Sequence, residues 1–242
     1  RAARGAVDAC CGGRQTSDGM MLNTKYMGIE LASPIVCSAS PLSESVEGIR
    51  RMADAGAGAV VLFSLFEEQL RLEEAREIGL MEANSESFSE AISYFPRMDE
   101  YRVGPDDYLK LLEQAVQAVD IPVLGSLNGI TPAAWTGYAR RMQDAGAKGI
   151  ELNLYVLPTD PALSGAAMER RYLEIVQSVK ASISIPLAVK LSPFLSAPTH
   201  MARRLKRAGA DASALFNRFY QPDLDVESLR AVPSVRLSEP ED

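Results

Sequence analysis

One unit recurs along this chain and constrains its fold more than any other feature. A polar, helix-forming stretch runs into Ala-Gly-Ala, and a short apolar run ending in a polar residue follows. The first copy is Arg51-Met52-Ala53-Asp54-Ala55-Gly56-Ala57, leading into Ala59-Val60-Val61-Leu62. The second is Arg141-Met142-Gln143-Asp144-Ala145-Gly146-Ala147, leading into Ile150-Glu151-Leu152-Asn153. The third is Arg203-Arg204-Leu205-Lys206-Arg207-Ala208-Gly209-Ala210, leading into Ala214-Leu215-Phe216-Asn217. Glycine just past a basic turn stops a helix, because it enters the left-handed region at little cost. The apolar run after it reads as a strand buried in a parallel sheet.

Three runs of a second kind alternate with these copies. They are Ser33-Pro34-Ile35-Val36-Cys37, Ile121-Pro122-Val123-Leu124-Gly125 and Ile185-Pro186-Leu187-Ala188-Val189-Lys190. Proline at the start of a strand is tolerated, since that position can lie outside the ladder. Together the runs predict six strands, centred near Val36, Val61, Val123, Glu151, Val189 and Leu215. Helical periodicity over residues 108–119, 133–144, 168–180 and 199–208 separates most of them. Strand–helix alternation of this kind predicts an α/β fold with a parallel sheet. Six such units use up the chain, so the expected fold is a (β/α)8 TIM barrel, incomplete, with about six βα units present. Residues 65–81 read as a helix with Glu67, Glu68, Glu73 and Glu74 on its wet face, and residues 84–102 read as a long loop.

Composition narrows the classes. With 25 Lys+Arg against 32 Asp+Glu, the overall charge gives no support for nucleic-acid binding. No apolar run approaches the ~20 residues of a membrane-spanning helix. Three cysteines, Cys10, Cys11 and Cys37, cannot build a disulfide framework, and a reduced cytoplasmic protein is expected. One histidine, His200, excludes a histidine triad or a multi-histidine metal site within the chain. Cys37 lies within an apolar run and reads as a small buried residue, and His200 reads as a surface residue. Residues 1–19, rich in Gly, Ala and Arg without apolar periodicity, read as an upstream or non-native extension. A transit peptide is the alternative, disfavoured by Asp8 and Asp18. The domain expected from there on covers residues 20–242.

Each predicted strand ends in a polar residue: Ser38-Ala39-Ser40, Ser64, Ser126-Leu127-Asn128, Asn153, Lys190-Leu191-Ser192 and Asn217. In both barrels and doubly wound sheets, ligands bind at the strands' C-terminal ends. Any single Ser or Asn there is equally explained as a loop start or helix cap, but the recurrence along the chain points to a site. No Gly-x-Gly-x-x-Gly follows a strand, so a dinucleotide fold lacks its main signature. Glu151, inside an apolar run, points to a barrel interior or a polar site, or equally to a strand-edge contact.

Residues 22–237 resemble the dihydroorotate dehydrogenase family, flavin-dependent enzymes that bind FMN at the rim of the strands. The resemblance is carried by Thr24-Lys25-Tyr26-Met27-Gly28-Ile29-Glu30-Leu31-Ala32-Ser33-Pro34-Ile35-Val36, by Ser38-Ala39-Ser40-Pro41, by Glu151-Leu152-Asn153-Leu154, by Ala188-Val189-Lys190-Leu191-Ser192-Pro193 and by Phe216-Asn217. It implies a hairpin over residues 22–31 that plugs the bottom of the fold. It implies FMN contacts from Ala39, Ser40, Ser64 and Lys190, with Lys190 stabilising negative charge on the reduced ring. Asn153 and Asn217 would bind flavin or substrate. The implied activity is oxidation of dihydroorotate to orotate, in pyrimidine synthesis, by hydride transfer to FMN. Alternatives are an FMN oxidoreductase with another small substrate, and a non-catalytic accessory subunit.

The sequence departs from the family at two positions. Phe63 stands where a lysine is usual, and Val156 stands where the family keeps its proton-accepting residue. Tyr155 is the neighbouring candidate base, a weak one at an ordinary phenol pKa of ~10. The units that hold the FMN phosphate in the family are not recognisable in the sequence, so weak FMN binding is expected. Unpaired sheet edges lead us to expect homodimerisation or aggregation.

Overall fold

The computed structural model describes residues 22–66, 105–128, 132–154, 156, 160–217, 221–225 and 230–234. The expected extension over residues 1–19, the helix beyond Phe66, the loop over residues 84–102, and Tyr155 lie outside the described residues.

The three Ala-Gly-Ala units make the same structure three times. Gly56, Gly146 and Gly209 have φ of 96°, 95° and 110°, and the amide of each following alanine bonds back to Met52, Met142 or Leu205. This closes the end of α1 (Val46–Asp54), α3 (Pro132–Asp144) and α5 (Pro198–Ala208) and turns the chain back into the sheet. The remaining described helices are α2 (Pro105–Ala118) and α4 (Gly165–Ser182). Ser45 and Ser164 cap α1 and α4 by accepting from the amides of Gly48 and Ala167.

The strands are β1 (Thr24–Tyr26), β2 (Ile29–Leu31), β3 (Val36–Cys37), β4 (Ala59–Val61), β5 (Leu65–Phe66), β6 (Val123–Asn128), β7 (Gly149–Leu154), β8 (Leu187–Leu191), β9 (Ala212–Leu215), β10 (Gln221–Asp225) and β11 (Arg230–Ser234). A parallel sheet runs β3-β4-β6-β7-β8-β9, with β5 also paired to β6. All six predicted strands are in it. The hairpins β1-β2 and β10-β11 form two separate antiparallel pairs.

The (β/α)8 barrel expectation is corrected here. A barrel exists only when its first and last strands hydrogen-bond and abolish the edges. Among the described residues, β3 and β9 are the two ends of an open path and do not pair. The sheet is nevertheless strongly curved. Lys190 on β8 donates to Ser38 Oγ, just past β3, at 2.9 Å. Four strand spacings separate β3 from β8, roughly 19 Å in a flat sheet. No lysine spans that, so the face they share is concave.

Period-2 alternation gives the sheet two unlike faces. Val60, Leu62, Val123, Leu127, Ile150, Leu152, Val189 and Leu191 face the helices and form the main core with Ile49, Tyr108, Leu112, Trp135, Ile175 and Leu205. The concave face carries Val61, Leu124 and Ala188, and Met27 from the β1-β2 turn packs on them as a second, small cluster. A methyl group on Gly149 would meet Met27 Cε at 2.9 Å, so the hairpin lies close against the start of β7. The hairpin implied by the resemblance thus covers the apolar, N-terminal end of this face.

Between β4 and β5 the chain gains one residue on β6. Val61 pairs with Leu124 and Leu65 with Leu127, four positions against three. The bulge turns Phe63 to the helix side, edge-on to Tyr108 at a ring separation of 4.9 Å, and brings Ser64 to the concave side. It also leaves the Ser126 amide without a strand partner, and the Tyr108 hydroxyl accepts it at 2.9 Å. Tyr108→Phe keeps the ring and orphans that amide. Its expected cost is about 1–3 kcal/mol, read as a lower midpoint in urea or thermal unfolding; an unchanged midpoint would show that the bulge is satisfied some other way.

Candidate functional site

Moving along the concave face from the hairpin toward the strands' C-terminal ends, the residues turn polar. Register sets Ser126 beside Glu151, and Asn153 beside Lys190. Glu151 and Asn153, two apart on β7, share a face by strand periodicity. Two connected groups result.

The first is an amide–hydroxyl cluster. Asn153 Nδ2 donates toward Ser126 Oγ at 3.0 Å, Ser64 Oγ at 3.2 Å and the Leu127 carbonyl at 3.3 Å. The two serine hydroxyls are 2.8 Å apart. Ser126 is fully buried and Ser64 is half-buried, so a proton given by Ser126 to Ser64 leaves the Ser64 hydroxyl as a donor toward a ligand.

The second is an ion pair. Lys190 Nζ lies 3.3 Å from Glu151 Oε1, with side chains only 13% and 6% exposed. The ammonium has three protons. Ser38 and Glu151 take two of them, and the third is available to a ligand. A cavity of about 460 Å³ opens beside the pair, lined by Tyr26, Leu31, Val36, Ser38, Val61, Glu151, Lys190 and the strand-end residues Leu215 and Phe216, among others. Its volume falls in the range of small-molecule sites. Burial pushes the Tyr26 phenol up to about 12, and the Glu151 charge adds to the shift. Tyr26 therefore stays neutral at physiological pH and able to donate a hydrogen bond.

The sequence-derived candidates divide accordingly. Lys190, Asn153 and Ser64 come together. Ala39 packs beside the small cluster under the hairpin. Ser40 opens a short 3-10 turn, Pro41–Ser43, and its carbonyl accepts from Ser43, while its hydroxyl makes no capping bond. Asn217 lies past β9, held through its main-chain amide to the Leu191 carbonyl at 2.7 Å. Phe63 and Val156 both pack against the helix-side core. Cys37 packs there too, and His200 is exposed. Tyr26 and Tyr108 were not identified from sequence, since a tyrosine in a hairpin or on an amphipathic helix looks like any other.

Among the described residues no group of histidine, cysteine and carboxylate side chains could hold a metal, and no helix is long and apolar enough to cross a membrane.

The Tyr26 shift has a testable consequence. Its ordinary pKa is 10.0 and its folded value about 12. Between those values the unfolded chain gives up the proton and the folded chain keeps it. The stabilisation is therefore complete below pH 10 and is lost as pH climbs from there through 12. Tyr108, fully buried, and Tyr172 shift in the same direction. Urea unfolding between pH 9 and 11 should show stability falling with pH, less steeply in Tyr26→Phe. Equal slopes would mean that Tyr26 is solvated.

No protein-family profile matches the chain. Among curated proteins, it is 30% identical over 127 residues to dihydroorotate dehydrogenase A (fumarate) of Lacticaseibacillus paracasei, covering 48% of this chain and 41% of that protein. It is 26% identical over 216 residues to the catalytic subunit of dihydroorotate dehydrogenase B (NAD(+)) of Thermoplasma acidophilum, covering 86% of this chain and 65% of that protein. The chain thus spans less than two thirds of the length of these relatives. Among solved structures, an oxaloacetate acetylhydrolase aligns at a TM-score of 0.46 and 13% identity, over 77% of this chain and 59% of that one. What the chain resembles in sequence, over most of its described length, is the dihydroorotate dehydrogenase family.

Proposed function

We propose that the chain is an FMN-dependent oxidoreductase of the dihydroorotate dehydrogenase kind, taking hydride from a small CH–CH donor. One observation carries this reading: Lys190, Asn153 and Ser64, singled out by the resemblance, sit on one concave face, and Lys190 lines a cavity of ligand size there. The donor set suits a flavin. A ring whose edge bears carbonyl oxygens and ring nitrogens asks for a cation, an amide and a hydroxyl, and these are the groups presented. When bound, FMN would supply the hydride acceptor.

The chain's own residues do the rest. Lys190 faces the cavity with one proton left, where it favours negative charge on a ligand. Asn153, fixed by three acceptors, orients the ligand's polar edge. Ser64 donates beside it. Leu31 and the Tyr26 ring line the hairpin side of the cavity, and such an apolar backing strengthens charge interactions within. We place the protein in a reducing cytoplasm, supported by its lack of a disulfide framework.

Dihydroorotate itself is the weaker choice of donor. Its oxidation sends one hydrogen to the flavin as hydride and the other away as a proton, and that proton asks for a base, a contribution of typically 10²–10⁴-fold. Val156 carries no titratable group, and its main chain is bonded to the Tyr172 hydroxyl. Phe63, turned to the helix side, offers nothing to the cavity. These positions favour a flavin oxidoreductase acting on another small substrate, with dihydroorotate reacting slowly.

FMN titration followed by flavin fluorescence tests the binding half of the reading. Lys190→Met should weaken FMN by about tenfold, ~1.4 kcal/mol, while the far-UV spectrum stays the same. Equal affinity in the two proteins would remove Lys190 from the site. Anaerobic mixing with dihydroorotate tests the other half: bleaching of the flavin within milliseconds to seconds would mean that a base is present and that the substrate argument is wrong.

A further inference from the structure

Glu151 has no task in the function proposed above, yet it is the acidic group most enclosed by the site. A carboxylate in the middle of a buried strand, 6% exposed, is costly to bury unless it is paired. Its Oε1 accepts from Lys190 Nζ at 3.3 Å, and the Tyr26 phenol lies within its field. Lys190 is the buried cation lining the cavity; Lys25, which also lines it, is exposed and paired with Glu30. A lysine chain is long and loses much rotamer freedom when fixed. Here it is fixed from two directions, by Ser38 past β3 and by Glu151 on β7. Ser38 anchors it by geometry alone, whereas Glu151 also offsets its charge.

We propose that Glu151 is a positioning residue: it holds the Lys190 ammonium toward the cavity and sets how much net positive charge a bound ligand meets there. The inference rests on the FMN reading for the identity of that ligand. With Glu151 in place the pair is close to neutral, and the attraction for a negatively charged reduced flavin is moderate. With glutamine in place the shape remains and the cation is uncompensated, so the reduced form gains on the oxidised form. Because Glu151 acts through Lys190, its removal has nothing to act on once Lys190 is gone.

The experiment compares wild type, Glu151→Gln, Lys190→Met and the double variant in two arms. In the first, each is loaded with FMN and its two-electron potential is measured by dye equilibration. Glu151→Gln should bind reduced FMN about tenfold more tightly relative to oxidised FMN, a rise of ~30 mV. Lys190→Met should lower the potential, and the double variant should match Lys190→Met. A potential unmoved by Glu151→Gln, or moved equally with and without Lys190, overturns the proposal. In the second arm the FMN-free proteins are treated with an amine-reactive acylating reagent and Lys190 modification is followed by mass spectrometry. It should be several-fold faster in Glu151→Gln than in wild type, and equal rates count against positioning. If wild type takes no FMN but the labelling rates differ, the flavin reading fails and Glu151 still holds Lys190. If Glu151→Gln does not fold, Glu151→Asp, with its charge one methylene short, should move both readouts in the same direction by less.

Discussion

Lys190 reaching Ser38 across the concave face is the contact on which the arrangement of the site depends. Strands four spacings apart cannot share a lysine unless the sheet curls, and once it curls, everything on that face converges. Glu151 then stands beside the ammonium, and Asn153, its neighbour two residues on, stands beside the serine pair. The curvature has an identifiable source. The described helices cover one face, through the large core of Ile, Leu and Val side chains, while the other face carries smaller residues, Ala188, Ala212, Ala214 and Gly149 among them, and closes inward.

The concave face divides by polarity along the strands. At its N-terminal end the side chains are apolar and the Met27 turn seals them. At its C-terminal end they are Ser, Asn, Glu and Lys, and all those named in the site have partners within the protein. That division separates the groups that stabilise the fold from the groups available to a ligand. It also gives the ion pair a low-dielectric backing, so that a small change in its composition changes the field in the cavity.

Much of this was legible in the sequence, and the reasons are local. The three Ala-Gly-Ala units announce helix ends because only glycine enters the left-handed region cheaply, and each is followed by a short, mainly apolar strand. Lys190, Asn153 and Ser64 stand out in the sequence because polar residues at strand ends are conspicuous. That the sheet stays open was not legible, since closure or its absence is a hydrogen-bond relation between strands far apart in sequence. The side taken by Phe63 was not legible either. Counting along β4 by twos sets Phe63 on the concave face with Val61, and only the extra residue opposite β6 reverses it and presents Ser64 instead. Glu151 was visible as a charge in an apolar run, but its partner lies 39 residues away and is fixed by register alone.

Lys190 and Glu151 are one buried ion pair on the concave face, and the site stands on their mutual dependence. A double-mutant cycle on folding stability measures this directly, with Lys190→Met, Glu151→Gln and the double variant unfolded in urea at neutral pH. Each single change leaves one buried group without its partner, and the double change leaves neither charge. The account predicts that the double variant is more stable than the sum of the single losses implies, with a coupling on the order of 2 kcal/mol. Additive losses, with a coupling near zero, would contradict it.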